Sequence, residues 1–129
     1  MNKLIVEKTR LTPEIKLDPA TGVFEIKGRS IPENAMDLYY PIIDWLHNYS
    51  KKPAKATLFK VFFEYLNTSS SKYLFEVFRI LEKISSGGYD VRVIWYYEGD
   101  VEEMKDTGED YANLINIPFE VKTLEEEQN

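Results

Sequence analysis

Four hydroxyl residues in a row, Thr68, Ser69, Ser70 and Ser71, stand between Asn67 and Lys72. The preceding stretch, residues 55–66, is rich in aromatic and β-branched residues that suit a pleated, buried surface. Beyond them, Leu74, Val77, Phe78, Leu81 and Ile84 recur at helical spacing and predict a helix with one apolar face. A buried strand handing over to a helix leaves free backbone N–H groups at the positive end of a helix dipole. Such a position suits a phosphate. A hydroxyl there can cap the helix by accepting from those N–H groups, or it can receive a phosphoryl group. Capping needs one hydroxyl, so one of the four is expected to be the cap.

Other chemistries find little support. No G-x-x-x-x-G-K-[ST] or G-x-G-x-x-G pattern occurs. The single histidine, His47, lies among tyrosines in a helical stretch and would have to reach the hydroxyls from within that helix to serve as base of a nucleophilic triad, which the pattern does not support. A metal ligand role for it is equally unsupported. Glu98, Asp100, Glu102, Glu103 and Asp106 form an acidic run without EF-hand spacing, which reads as a solvated loop. No cofactor or metal is expected, and the chain does not read as an enzyme.

The elements that must position the hydroxyls follow from pattern. Residues 3–8 and 13–17 read as extended, 18–22 as a turn and 23–27 as an alternating strand, giving an antiparallel hairpin. Gly28-Arg29-Ser30 should end it. Pro32 suits a first helical turn with Ser30 as its cap, and Ala35, Leu38, Ile42, Trp45, Leu46 and Tyr49 mark one helix face. Pro41 should kink or split that helix. After the central strand and helix, residues 90–97 form a strand, 101–114 a weaker helix containing Gly108, and 117–121 an edge strand, since its Pro118 cannot donate to a ladder. The order predicts a single α/β domain over residues 1–124, with a largely parallel sheet, an N-terminal hairpin and helices mainly on one face. Residues 125–129 read as a charged tail.

Parallel strands 23–27, 56–66 and 90–97 would end at one edge of the sheet. That edge would gather Arg29 and Ser30, Asn67 to Lys72, and Glu98 to Asp100 into one functional rim. Tyr39, Tyr40, Tyr96 and Tyr97 cannot all be interior, so some should face a partner.

Composition narrows the partners. The chain of 129 residues is 43% hydrophobic and 14% aromatic, which fits one folded domain rather than disorder. A net charge of −6 disfavours nucleic acid or an anionic membrane as the main partner. There is no cysteine, hence no disulfide framework, and no apolar run approaches a membrane span. A cytoplasmic protein, monomeric when free, is expected.

Gly28-Arg-Ser-Ile-Pro-Glu-Asn-Ala35, Asn67-Thr-Ser-Ser-Ser-Lys72, Val93-Ile-Trp-Tyr96 and Ile117-Pro-Phe-Glu120 resemble the SiaC family of bacterial regulatory phosphoproteins, over nearly the whole chain. Ile31 departs from the aromatic commoner there. The resemblance implies a STAS-like fold, that of anti-anti-sigma factors. It implies phosphorylation of Thr68 by a dedicated Ser/Thr kinase, with Ser69, Ser70 and Ser71 as lesser candidates, and removal of the phosphate by a PP2C-type phosphatase. Unphosphorylated, such a protein would bind and activate a diguanylate cyclase, raising cyclic-di-GMP and promoting biofilm or aggregation. Arg29 is then the expected partner of the phosphate, beside Glu98 and Asp100. Another reading of the same rim is a STAS-like module that binds a nucleotide or lipid.

Overall fold

The computed structural model describes residues 1–127. Six strands form one sheet in the order of the sequence: β1 (Leu4–Val6), β2 (Glu14–Leu17), β3 (Val23–Ser30), β4 (Ala56–Leu66), β5 (Asp90–Tyr97) and β6 (Phe119–Thr123). The first three strands pair antiparallel, so the expected hairpin is extended by a further edge strand. From β3 onward every pairing is parallel. Three helices make the crossovers: α1 (Ala35–Ser50), α2 (Thr68–Ser86) and α3 (Glu102–Leu114). Each crossover moves one strand onward in the same direction. Right-handed connections therefore put all three helices on the same face. A short helix α4 (Leu124–Glu127) occupies much of the expected tail, whose last two residues, 128 and 129, lie outside the described residues.

The core forms where the helices meet the sheet. Phe24, Ile26, Phe59, Val61, Phe63, Val93 and Trp95 point inward from β3, β4 and β5 and are at most 1% exposed. Phe78 of α2 lies edge-on to Phe59, and Tyr111 of α3 lies against both Phe78 and Trp95. Gly108 is explained here. A side chain at that position would drive its Cβ into the Trp95 ring, 2.7 Å from Nε1, while that nitrogen donates to Met104 O at 2.9 Å.

Three local expectations are corrected. Helix α1 is neither split at Pro41 nor capped by Ser30. Asn34 caps it, accepting from Met36 N, and Ser30 is the last residue of β3. Pro41 faces solvent, while Tyr39, Ile42, Leu46 and Tyr49 are buried on both sides of it. Their burial keeps the helix continuous across Pro41 at the cost of one backbone hydrogen bond. Gly28 to Ser30 continue β3 rather than end it. The register shifts there, with Gly28 opposite Phe63 but Arg29 opposite Tyr65, so β4 carries Glu64 as an extra residue.

The crossover helices α1, α2 and α3 do not lie over the other face of the sheet. Registered pairing aligns Lys16, Glu25, Lys60, Ile94 and Glu120 in one outward row, and Glu14, Lys27, Phe62, Tyr96 and Lys122 in the next.

Candidate functional site

The parallel strands bring the ends of β3 and β4 together at the expected edge. Asn67 leaves β4, donates its backbone N–H to Ser30 O at 2.9 Å, and offers Oδ1 to Ser70 N at 3.0 Å. Asn67 is thus the N-cap of α2, and the expectation that a hydroxyl would cap is overturned. The asparagine sits in extended geometry, from which its short side chain reaches back to the third N–H of the helix. All four hydroxyls therefore lie inside the first turn.

Helical rotation of about 100° per residue gives the four different fates. Ser70 points inward and is fully buried. Ser30 Oγ donates to Ser70 Oγ at 3.1 Å and lies 2.7 Å from Tyr39 OH, so three hydroxyls from β3, α1 and α2 satisfy one another. Burial pushes the Tyr39 phenol up to about 12, against the lowering effect of its hydrogen bonds to Ser30 and Ser70. Ser71 Oγ donates to Thr68 O at 2.7 Å, and Ser69 Oγ to Asn67 Oδ1 at 3.3 Å. Thr68 is exposed, and its Oγ1 makes no hydrogen bond among the described residues.

Thr68 opens onto a cleft of about 360 Å³ between α2 and α3. Asn67, Thr68, Ser71 and Lys72 form one wall, and Glu103, Thr107 and Asp110 the other. Tyr111 closes the cleft from below by donating its OH to Ser71 O at 2.7 Å. Burial raises the Tyr111 phenol well above its usual value, with a smaller raising effect from Tyr39. Lys72 shares the lining of this cleft with two carboxylates, Glu103 and Asp110. A phosphate on Thr68 would add about −1.5 to −2 charge to that acidic setting.

Not every residue of the expected rim joins this cleft. Ser30 lies directly beneath the first turn of α2, as a buried support. Arg29 alternates with Ser30, pairs with Tyr65, and points to the open face of the sheet. Lys72 is the cation that shares the cleft with Thr68. Glu98 and Asp100 are exposed in the turn from β5 to α3, where Val101 N donates to Glu98 O, and they do not line the cleft. His47 is exposed in the last turn of α1, at the end of the sheet away from this edge. Of the four tyrosines, Tyr39 is fully buried, Tyr96 is 5% exposed and Tyr40 is 48% exposed.

Sequence reasoning missed the α3 wall and the Tyr39 support. Glu103, Thr107, Asp110, Tyr111 and Leu114 do recur on one helical stripe, a signal available in the sequence. Nothing local marks Tyr39 as the partner of Ser30.

The whole chain has counterparts. An uncharacterized protein of Pseudomonas aeruginosa is 29% identical over 126 residues, covering 98% of this chain and all of the relative. The crystal structure of apo-SiaC from P. aeruginosa superposes with a TM-score of 0.87 at 29% identity, covering 95% of this chain and 99% of that one. The SiaC chain solved in complex with diguanylate cyclase SiaD, which it activates, superposes equally well at 28% identity, covering 93% and 98%. A family model for the SiaC family regulatory phosphoproteins matches residues 6–124. With its sequential, largely parallel sheet and helices on one face, this STAS-like chain belongs to the SiaC family of regulatory phosphoproteins.

Proposed function

We propose that this chain is a non-catalytic activator of a diguanylate cyclase, switched off by phosphorylation of Thr68. The observation that carries the reading is the near-complete superposition on a SiaC chain bound to the cyclase it activates. The fates of the four hydroxyls support Thr68 as acceptor. It is exposed and free of hydrogen bonds among the described residues, whereas Ser70 is buried and bonded to Ser30. Ser69 and Ser71 are the lesser candidates, each already donating to a neighbour.

A dedicated Ser/Thr kinase would write the mark and a PP2C-type phosphatase remove it. The chain would act in the cytoplasm, monomeric when free, as an input to cyclic-di-GMP control of biofilm or aggregation. Among the described residues no helix is long and apolar enough to cross a membrane. Ligand binding at the same edge is less favoured, because Glu103 and Asp110 would oppose an anionic nucleotide or lipid head group.

The test mixes the purified chain with the diguanylate cyclase of its own host and measures cyclic-di-GMP formation. Unphosphorylated protein should raise the rate, and protein phosphorylated at Thr68 should not. Equal rates with and without the unphosphorylated chain would sink the reading.

A further inference from the structure

The cap of α2 takes donors that a phosphate on Thr68 would otherwise use. Asn67 receives the N–H of Ser70 at its side-chain oxygen, 3.0 Å away, and at its backbone oxygen, 3.1 Å away. The N–H of Ser71 goes to the same backbone oxygen at 3.3 Å. Side chains then have to supply the opposite charge. Arg29 points to the open face of the sheet. Among the described residues that line the cleft beside Thr68, Lys72 is the one cation.

Lys72 follows Thr68 by one turn of α2, so the two side chains are neighbours on one helix face, with Cβ atoms about 5–6 Å apart. Its ammonium forms no ion pair among the described residues and lies over the Tyr73 ring, 5.2 Å from the centroid. Tyr73 stacks on the buried Tyr39 at 6.1 Å and meets the exposed Tyr40 edge to face at 5.9 Å. Lys72 thus stands between the acceptor hydroxyl and an aromatic cluster at the seam of α1 and α2. An ammonium over a ring near the surface is weakly held, whereas a phosphate accepts shorter, stronger, charge-assisted hydrogen bonds. The phosphate should win the contest for Lys72.

We infer that Lys72 is the positioning residue of phosphothreonine 68: its ammonium leaves the Tyr73 ring for the phosphate, holding the dianion along α2 and uncovering Tyr73 beside Tyr40. The inference rests on the proposed phosphorylation of Thr68 and adds how the chain itself registers the mark. In that step the γ-phosphoryl group of ATP passes to Thr68 Oγ1, ADP leaves, and the hydroxyl proton goes to a base of the kinase. Lys72 on α2 favours the dianion, while Glu103 and Asp110 on α3 oppose it from the same cleft. The second ionisation of the phosphate, ordinarily at about 6, therefore reports the balance. The mark is registered twice, as charge in the cleft and as a bared ring between α1 and α2.

The experiment installs phosphothreonine at position 68 during synthesis of the full chain, so that no kinase is needed, and follows the phosphate by phosphorus NMR through its second ionisation. Lys72→Gln should raise that pKa by about 0.3 or more. Lys72→Arg, which keeps the charge, should leave it at the wild-type value, and Glu103→Gln/Asp110→Asn should lower it. The Lys72 Hε resonances, shifted upfield by the Tyr73 ring in the unmodified chain, should move downfield once the phosphate is present. Lys72 is exposed, so the unmodified variants should melt like wild type. Should Lys72→Gln melt early, the Hε resonances of the wild-type chain, recorded with and without phosphate, still decide.

A phosphate pKa unchanged in a folded Lys72→Gln chain, or Hε resonances that the phosphate leaves in place, would overturn the inference and leave the proposed function standing. Failure of the host kinase to modify Thr68 would instead overturn the proposed function, and with it any use of the pairing.

Discussion

Ser30 and Ser70, forty residues apart in the chain, share a 3.1 Å hydrogen bond at 0% exposure. The bond ties the end of β3 to the first turn of α2, and Tyr39 brings α1 into the same group. No buried side-chain oxygen or nitrogen is left unsatisfied among the described residues. The turn that presents Thr68 is therefore anchored from below by polar bonds rather than by apolar packing alone.

Ser30→Ala should unfold at lower urea concentration, losing about 1–3 kcal/mol, because it leaves Ser70 and Tyr39 without their shared partner. Tyr39→Phe should cost less, since Ser30 can still donate to Ser70. A double-mutant cycle should show coupling between positions 30 and 39 of at least about 0.5 kcal/mol. Strict additivity would mean that the hydroxyls do not act as a unit.

Loss of the cap should be felt at Asn67 and not at the hydroxyls beside it. Asn67→Ala is expected to cost about 1 kcal/mol, while Asn67→Asp retains most of the stability. Ser69→Ala and Ser71→Ala should stay within about 0.5 kcal/mol of wild type, as exposed positions usually do. Urea titrations of the four variants would rank them, and a larger loss at Ser69 or Ser71 than at Asn67 would contradict the assignment of the cap.

Gly108→Ala adds one methyl group against the Trp95 ring. Overpacking of this kind costs about 1–3 kcal/mol, outweighing the better helix propensity of alanine, about 1 kcal/mol. Trp95 fluorescence should shift along with the loss of stability. A more stable Gly108→Ala protein would show that the ring can move aside.

Stability should fall in strong alkali. Tyr39 is raised from 10.0 to about 12 by burial, so the folded state keeps a proton that the unfolded chain releases. That contribution is complete below pH 10 and is lost as pH rises from 10 through 12. Two units correspond to about 2–3 kcal/mol, and Tyr111, raised in the same direction, adds to the loss. Urea midpoints between pH 8 and 11.5 should drop less steeply in Tyr39→Phe than in wild type. Parallel curves would remove Tyr39 as the cause.

The sequence by itself determined the order of elements, the parallel run from β3 to β6 and the placement of the hydroxyls at a strand–helix junction. Each is written in local periodicity: alternation in 23–27 and 90–97, helical spacing from Leu74 to Ile84. Sequential strand order then left right-handed crossovers only one face for the helices. Tertiary structure alone decided which hydroxyl is buried, which cation stands near Thr68 and which asparagine caps α2. Those outcomes depend on register. Ser30 keeps the unbroken alternation of β3, while the extra residue Glu64 shifts β4 so that Tyr65 faces outward opposite Arg29 and Leu66 inward opposite Ser30. A side chain's face changes with a single residue of slip, and composition does not record that slip.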